Sequence, residues 1–169
     1  MKIQTRILTE AIAAVALAGV LHLVTLFQSP QGGRVTAAAM VPVLFVALRR
    51  GPRVGIVAGI AYGLVVLIEE PFIYHPVQFL LDYPLAFGAL GLAAFFRKLP
   101  LVGVATGIGG RFVCHFISGL VFFATYAPVG MNPALYSAIY QASYLVPELL
   151  VSEVVMFVLV RRKIMQLYM

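Results

Sequence analysis

Residues 100–125 read PLVGVATGIGGRFVCHFISGLVFFAT, and this stretch decides the fold. Its only charged side chain is Arg111, with His115 one turn later. Since about 20 apolar residues suffice to cross the hydrocarbon core of a bilayer, the stretch predicts a transmembrane helix. Arg111 and His115 are four residues apart and share one helix face, which Gly119 and Phe123 continue. A charge at this depth is unfavourable, so we expect this face to meet protein, water or a ligand.

The composition extends this prediction to the whole chain. Of its 169 residues, 62% are hydrophobic and only 11% are charged. A water-soluble domain of this length cannot bury so much apolar surface, so the sequence predicts an integral membrane protein. The single cysteine, Cys114, excludes both an intramolecular disulfide and a cysteine-based metal cluster.

Clusters of proline, glycine and charged residues divide the apolar sequence into six segments. The breaks lie at 29–33, 49–53, 69–71, 97–100 and 128–133. The predicted helices lie near 4–28, 35–48, 53–69, 77–97, 100–125 and 134–163. The first apolar run is longer than the core of a signal peptide and is therefore retained as a helix. The sequence predicts an all-α bundle of six transmembrane helices, forming a single domain over residues 1–169.

The net charge of +6 is distributed by side rather than along one surface. One set of loops and both termini carry Lys2, Arg6, Arg49, Arg50, Arg53, Arg97, Lys98, Arg161, Arg162 and Lys163. The opposite loops carry Arg34, Glu69, Glu70 and His75. Because basic residues accumulate on the cytoplasmic side, both termini are predicted to be cytoplasmic. The charge thus reflects topology, and nucleic-acid binding is not expected.

This orientation brings polar groups of three predicted helices to a similar depth near the outer face. Asp82 and Tyr83 precede Pro84, which is expected to loosen the helix turn. A carboxylate in a membrane span needs a partner, and Asp82 has two candidates, Arg111 or a cationic ligand. For Arg111 the alternative is an ion pair with Glu148 or Glu153 that joins two helices.

The last helix repeats tyrosine every four residues, at Tyr136, Tyr140 and Tyr144. Tyrosines near a bilayer surface are often interfacial anchors, an interpretation that suits Tyr126 and is one of two alternatives for Tyr136. Gln141 and Tyr144 lie one to two turns deeper, which favours a pocket for a small, polar, ring-bearing molecule.

Small residues in the first helix, Ala11, Ala14 and Ala18, permit close helix packing. They indicate either an internal contact or a docking face for another membrane subunit. The sequence has no ATP-binding lysine loop, no metal-ligand motif and no carboxylate ladder for protons. These absences favour a binding protein over an autonomous pump. An intramembrane enzyme using Asp82 and His115 as acid and base is the weaker alternative.

Four segments resemble one known family. They are 35–51 (VTAAAMVPVLFVALRRG), 75–91 (HPVQFLLDYPLAFGALG), 115–130 (HFISGLVFFATYAPVG) and 136–148 (YSAIYQASYLVPE). In this order they are similar to the thiamine-specific substrate-binding (S) components of energy-coupling factor transporters. The resemblance implies capture of thiamine at the outer face of a prokaryotic plasma membrane, without a cofactor. It also implies partnership with a transmembrane scaffold subunit and two ATPase subunits. A relative that selects a precursor such as hydroxymethylpyrimidine is the alternative.

The resemblance also implies roles for individual residues. The family's pocket residues fall on Asp82, Tyr83, Arg111, His115, Gly119, Phe123 and Tyr136, with Gln141 and Tyr144 beside them. Asp82 is expected to offset the thiazolium charge, while His115, Tyr136 and Gln141 are expected to read polar ligand edges. The face that carries Ala11, Ala14 and Ala18 is expected to contact the scaffold subunit. The family more often has asparagine at the position of Gln141, and some members have tryptophan at that of Phe123 or glutamate at that of Asp82.

Overall fold

The computed structural model describes residues 3–164, which form six main helices, a short 3₁₀ turn (Ala124–Tyr126) and one β-hairpin. The helices are α1 (Ile3–His22), α2 (Val41–Arg50), α3 (Pro52–Glu69), α4 (Pro76–Phe96), α5 (Pro100–Phe122) and α6 (Pro133–Arg161). The strands are β1 (Thr25–Gln28) and β2 (Arg34–Thr36). Lys2, which belongs to the predicted cytoplasmic charge, lies outside the described residues.

Five of these helices, α1 and α3 to α6, are long and apolar enough to cross a membrane. Large apolar side chains such as Val57, Leu150 and Val154 point outwards and stay exposed, which is the surface that lipid requires. The protein is therefore a mostly helical membrane protein. Helix α2 has ten residues and spans only about 15 Å at 1.5 Å per residue.

Helix α2 forms the centre of the bundle. It packs against each of the other five helices, and Val43, Leu44 and Ala47 are fully buried. Most of its side chains are buried among the other helices, and only Pro42, Phe45 and the two terminal arginines are partly exposed. Its apolar composition therefore reflects the protein core.

Four of the five predicted breaks, those from 49–53 onwards, are confirmed as gaps between helices, whereas the break at 29–33 is the turn of the hairpin. Each helix from α2 to α6 has proline at its first or second position, where the missing N–H removes no helical hydrogen bond. His75 caps α4 by accepting from the Val77 amide (3.1 Å), and Asn132 caps α6 by accepting from the Ala134 amide (2.8 Å).

The predicted boundaries of the first two helices are wrong. Helix α1 ends at His22 instead of continuing to 28, and α2 begins at Val41 instead of 35. The intervening residues pair as an antiparallel hairpin, whose turn contains Gly32 at φ +90° and a Ser29 N to Gly33 O hydrogen bond of 2.6 Å. A short apolar run is compatible with either a strand or a helix. The turn at 29–33 brings the two flanking segments together, so that they pair as strands.

Helices α3 and α4 approach so closely that only glycine fits between them. Gly55, Gly59 and Gly63 recur every four residues along α3. A Cβ atom on Gly59 would collide with the Phe87 carbonyl oxygen, and one on Gly63 would lie 2.6 Å from the Tyr83 carbonyl oxygen. Such close contact positions α4, which carries Asp82, against the bundle.

Helix α4 changes its winding along its length. Residues Leu81–Leu85 form a π-helical turn and Ala89–Phe96 a 3₁₀ segment. Pro84 has no N–H and its ring would clash with the carbonyl four residues earlier in a regular α-helix, so the turn widens. The prediction that Pro84 loosens this helix is confirmed, and Asp82 lies within the widened turn.

Candidate ligand-binding site

A cavity of about 700 Å³ opens between α3, α4, α5, α6 and the hairpin. All nine residues that the sequence assigned to the pocket line it: Asp82, Tyr83, Arg111, His115, Gly119, Phe123, Tyr136, Gln141 and Tyr144. Cavities of this size hold ligands of vitamin or drug size. The structure thus brings together side chains that the sequence placed on three separate helices.

Asp82 is held by three protein donors. Its Oδ1 accepts from His115 Nδ1 (3.0 Å), and its Oδ2 accepts from Gln78 Nε2 (2.7 Å) and Ser118 Oγ (2.9 Å). The sequence offered Arg111 or a cationic ligand as the partner; the protein partners are these three residues and not Arg111, and the ligand stays a prediction. Gln78 lies one turn before Asp82, so helical spacing was a signal that could have identified it.

His115 connects Asp82 to Arg111. Its Nε2 accepts from Arg111 Nε (3.2 Å), while its Nδ1 faces the carboxylate, which can only accept. The ring is therefore the neutral tautomer with its proton on Nδ1. Ser118 bonds to Asp82 and not to His115, an arrangement that does not activate a serine nucleophile.

Arg111 makes none of the ion pairs that the sequence suggested. Besides His115, its NH1 contacts the Met40 sulfur (3.0 Å), and its guanidinium carbon lies 4.2 Å from the centre of the Phe87 ring. Within residues 3–164, no carboxylate of Asp82, Glu148 or Glu153 lies within ion-pair distance of it. Stacking on an aromatic face stabilises this buried cation instead.

A hydrogen-bonded row links α6 to α5. Gln141 Nε2 donates to the His115 carbonyl (3.1 Å), and the Tyr144 hydroxyl donates to Gln141 Oε1. Gly119 faces this row across the helix contact, where a Cβ atom would lie 3.2 Å from Gln141 Nε2. Gly119 therefore lines the cavity, and its lack of a side chain also lets α6 pack closely against α5.

Aromatic rings surround the outer part of the cavity. The Phe123 ring lies 5.8 Å from that of Phe72 and 6.1 Å from that of Tyr74, measured between centroids. The Tyr83 hydroxyl donates to the Glu70 carbonyl (2.9 Å) and accepts from the Phe72 amide (3.1 Å). Tyr83 thus anchors the α3–α4 connection beside the cavity.

The hairpin supplies part of the cavity wall, a contribution that the sequence did not predict. The Gly33 amide donates to the Tyr140 hydroxyl (3.0 Å), and Arg34 forms an ion pair with Glu70. Burial raises the pKa of the Glu70 carboxyl, an effect that the Arg34 guanidinium opposes. These contacts join segments far apart in the chain, so no local pattern indicated them.

A second polar cluster, also missed, lies where the hairpin meets α1, α3 and α6. His22 Nδ1 lies 3.3 Å from the Tyr62 hydroxyl, and both side chains line the cavity. Glu148 lines it too, and its Oε1 accepts from both the amide (2.7 Å) and the hydroxyl (2.6 Å) of Thr36. The sequence had left Glu148 between helix pairing and a supporting position behind the pocket residues.

The small residues of α1 lie partly inside the bundle. Ala18 is fully buried and Ala14 nearly so, while Ala11 is half-buried. Ala14 also lines an apolar groove of about 550 Å³ between α1 and α2, which has Glu10 and Arg49 among its lining residues. Among the described residues, no cluster of three or more histidine, cysteine or acidic side chains could hold a metal ion.

Comparisons with known proteins agree with this architecture. The solved structure of ThiT from Listeria monocytogenes superposes with a TM-score of 0.85, covering 95% of this chain and 96% of that one. Its sequence is 24% identical, so this likeness concerns the fold alone.

Sequence comparisons also find relatives of this chain. The chain is 37% identical over 147 residues to the thiamine transporter ThiT of Bacillus subtilis, across 77% of this chain and 76% of the relative. It is 32% identical over 120 residues to the thiamine transporter ThiT of Lacticaseibacillus paracasei, across 59% and 60% of the two chains. The model of the family described as Thiamine transporter protein (Thia_YuaJ) matches residues 8–168. The chain therefore belongs to the thiamine transporter protein family.

Proposed function

We propose that the protein captures thiamine at the outer face of the membrane, as the S-component of an energy-coupling factor importer. The observation that carries this proposal is the cavity of about 700 Å³, in which the half-buried carboxylate of Asp82 stands among tyrosine and phenylalanine rings. Relatives that are named thiamine transporters support the choice of ligand. The protein itself binds and carries its ligand, and ATP hydrolysis takes place in partner subunits.

The chemistry of thiamine suits the cavity. Its thiazolium ring carries a permanent positive charge, which the Asp82 carboxylate offsets inside the membrane. Aromatic faces such as those of Phe123 and Tyr136 attract the cationic ring through their π electrons. The donors that hold Asp82 keep this carboxylate in one orientation, so it need not reorganise when the ligand enters.

We infer that the chain crosses the membrane six times, with both termini in the cytoplasm, as one domain over residues 1–169. In this arrangement α2 is the short sixth span, enclosed by the other helices. The excess of basic residues at the α2–α3 and α4–α5 connections, including Arg53 and Lys98, supports this orientation.

We further propose that a transmembrane scaffold subunit with two ATPases docks on α1. The groove between α1 and α2 is apolar and includes Ala14, which supports a helix-to-helix contact at this position. Ala11 lies half-exposed at the same face. Ala18 is fully buried, so it does not contact the partner itself. Its small side chain lets α1 pack closely against the bundle.

Isothermal titration calorimetry on the purified protein tests the ligand. Thiamine is expected to bind with submicromolar affinity, and hydroxymethylpyrimidine more weakly, because it lacks the cationic ring that Asp82 balances. Tighter binding of the precursor would reassign the protein to precursor uptake. Tight binding of riboflavin without binding of thiamine would overturn the proposal, and turnover of any ligand by the isolated chain would favour an enzyme.

A further inference from the structure

The connection between α3 and α4, residues 71–75, is held to α4 by two side chains of that helix. Gln78 Oε1 accepts from the Tyr74 amide (2.9 Å), and Gln78 Nε2 donates to the Phe72 carbonyl (3.2 Å). The Tyr83 hydroxyl accepts from the Phe72 amide (3.1 Å). The connection is neither helix nor strand, so these side chains satisfy backbone groups that a regular element would pair with each other.

Gln78 differs from Tyr83 because it also bonds to the charged group of the cavity. Its Nε2 donates to Asp82 Oδ2 at 2.7 Å. A carboxylate and a carbonyl can only accept, so the two N–H groups of Gln78 face Asp82 and Phe72, which leaves Oε1 for the Tyr74 amide. The three bonds therefore fix the amide of Gln78 in one orientation.

Gln78 is fully buried, so it has no surface left for contact with a ligand. Movement of either Asp82 or the connection would break a hydrogen bond of this buried amide. A buried polar group without a partner is unfavourable, so the two movements are linked.

The connection carries two aromatic rings at the outer part of the cavity. The rings of Phe72 and Tyr74 lie 5.8 Å and 6.1 Å from that of Phe123, and we call these three rings the aromatic cover. The side chains of Phe72 and Tyr74 are more than half exposed, so the backbone of the connection positions them more than packing does. Gln78, which holds that backbone, thus positions part of the aromatic cover.

We propose that Gln78 is a positioning residue that couples the Asp82 carboxylate to the aromatic cover, so that a ligand at Asp82 and the cover stabilise each other. This inference rests on the proposed function. A cation that contacts Asp82 restricts the carboxylate, and Gln78 transmits the restriction to the backbone of Phe72 and Tyr74. The coupling is reciprocal, so a firmly held cover slows the departure of the ligand.

Hydrogen–deuterium exchange of the purified protein, with and without saturating thiamine, measures this coupling. Pro71 and Pro76 have no amide hydrogen, so a peptide over residues 71–76 reports only the amides of residues 72–75. Thiamine is expected to slow this exchange at least about fivefold in the wild type, because the Tyr74 amide opens less often. Unchanged exchange in a protein that binds thiamine by calorimetry would overturn the inference and leave thiamine capture intact.

Gln78→Met keeps the length of the side chain but removes its three hydrogen bonds. Exchange of residues 72–75 is expected to be faster without ligand, and saturating thiamine is expected to give no protection. Dissociation of radiolabelled thiamine is expected to be at least about tenfold faster, because the cover is no longer held when Asp82 is occupied. Protection by thiamine that persists in this variant would contradict the coupling.

Two further variants separate coupling from simple attachment of the connection. Tyr83→Phe removes the other group that holds Phe72 and breaks no bond to Asp82, so exchange without ligand is expected to rise while thiamine still protects. Leu80 is exposed on α4 and does not line the cavity, so Leu80→Met is expected to change neither exchange nor dissociation. Loss of protection in Tyr83→Phe to the same extent as in Gln78→Met would overturn the special role of Gln78.

The opposite wall of the cavity provides an internal standard. The Gly33 amide, which donates to the Tyr140 hydroxyl, is expected to exchange equally in Gln78→Met and in the wild type. Equal acceleration at Gly33 and at residues 72–75 would mean that Gln78 supports the whole fold, and would overturn its role as a positioning residue.

A comparison of two ligands on the wild type keeps the test independent of how any variant folds. Hydroxymethylpyrimidine is neutral and brings no cation to Asp82, so at saturation it is expected to protect residues 72–75 less than thiamine does. Equal protection by both would overturn coupling through Asp82. Absence of thiamine binding to the wild type would instead overturn the proposed function, and this inference with it.

Discussion

At the scale of single residues, Asp82 shows how a charge is retained inside a membrane protein. The widened turn at Pro84 places its carboxylate where Gln78, His115 and Ser118 all donate to it. None of these three donors is a guanidinium or ammonium group, so none of them pairs the carboxylate with an opposite full charge. The negative charge therefore remains available to a cationic ligand in the cavity.

The contribution of this charge to thiamine binding can be measured with the variant Asp82→Asn. The variant keeps the size of the side chain but loses the negative charge, so thiamine binding is expected to weaken by at least about 1.4 kcal/mol, or tenfold. Neutral hydroxymethylpyrimidine serves as the matched ligand, and its affinity should fall less when both are measured by calorimetry. Equal losses for the two ligands would mean that Asp82 acts on the structure of the cavity and not on the thiazolium charge.

At the scale of helices, the contact between α3 and α4 depends on the absence of side chains. Gly55, Gly59 and Gly63 form a strip on α3, along which the backbone of α4 lies nearly in contact. The hydrophobic effect does not drive helices together in lipid, so close packing of this kind carries more of the stability. Because Asp82 and Tyr83 are on α4, the strip also sets the width of the cavity.

Gly59→Val is expected to destabilise the protein by about 1–3 kcal/mol, because the new side chain would overlap the Phe87 carbonyl. The midpoint of thermal unfolding in detergent measures this effect. Gly109→Ala is the matched control, since a Cβ atom there meets nothing within 4 Å. That change is expected to be neutral or stabilising by up to about 1 kcal/mol, since alanine favours helix more than glycine does. A Gly59→Val midpoint equal to that of the control would contradict close packing at this strip.

At the scale of the whole molecule, the hairpin between α1 and α2 completes the cavity. It brings Gly33 to Tyr140 and Thr36 to Glu148, pairs that lie 107 and 112 residues apart in the chain. The wall of the cavity is therefore assembled from both ends of the sequence. The chain enters the centre of the bundle directly after the hairpin, where the short helix α2 contacts all five other helices.

Cysteine labelling in cells tests the proposed topology, including α2 as a sixth span. In a Cys114→Ser background, Gln31→Cys and Val129→Cys should react with a membrane-impermeant maleimide in intact cells. Arg53→Cys should react only after lysis, because α2 carries the chain to the cytoplasmic side. All three positions are exposed in the structure, so labelling reports the side of the membrane and not burial. Labelling of Arg53→Cys from outside would overturn the six-span arrangement.

Sequence alone was sufficient for properties that follow from composition and spacing along one helix. Membrane insertion follows from apolar length, and the approximate boundaries of α3 to α6 follow from proline and charge clusters. The nine residues that line the cavity follow from polar side chains in apolar spans and from the family resemblance. Only the tertiary structure decided the hairpin, the partners of Asp82 and Arg111, and the contact of Glu148 with Thr36. The physical reason is that local patterns specify which residues share a helix face. Which atoms meet across helices depends on how each helix is rotated and how closely its neighbours approach, and those quantities are set by packing over the whole chain.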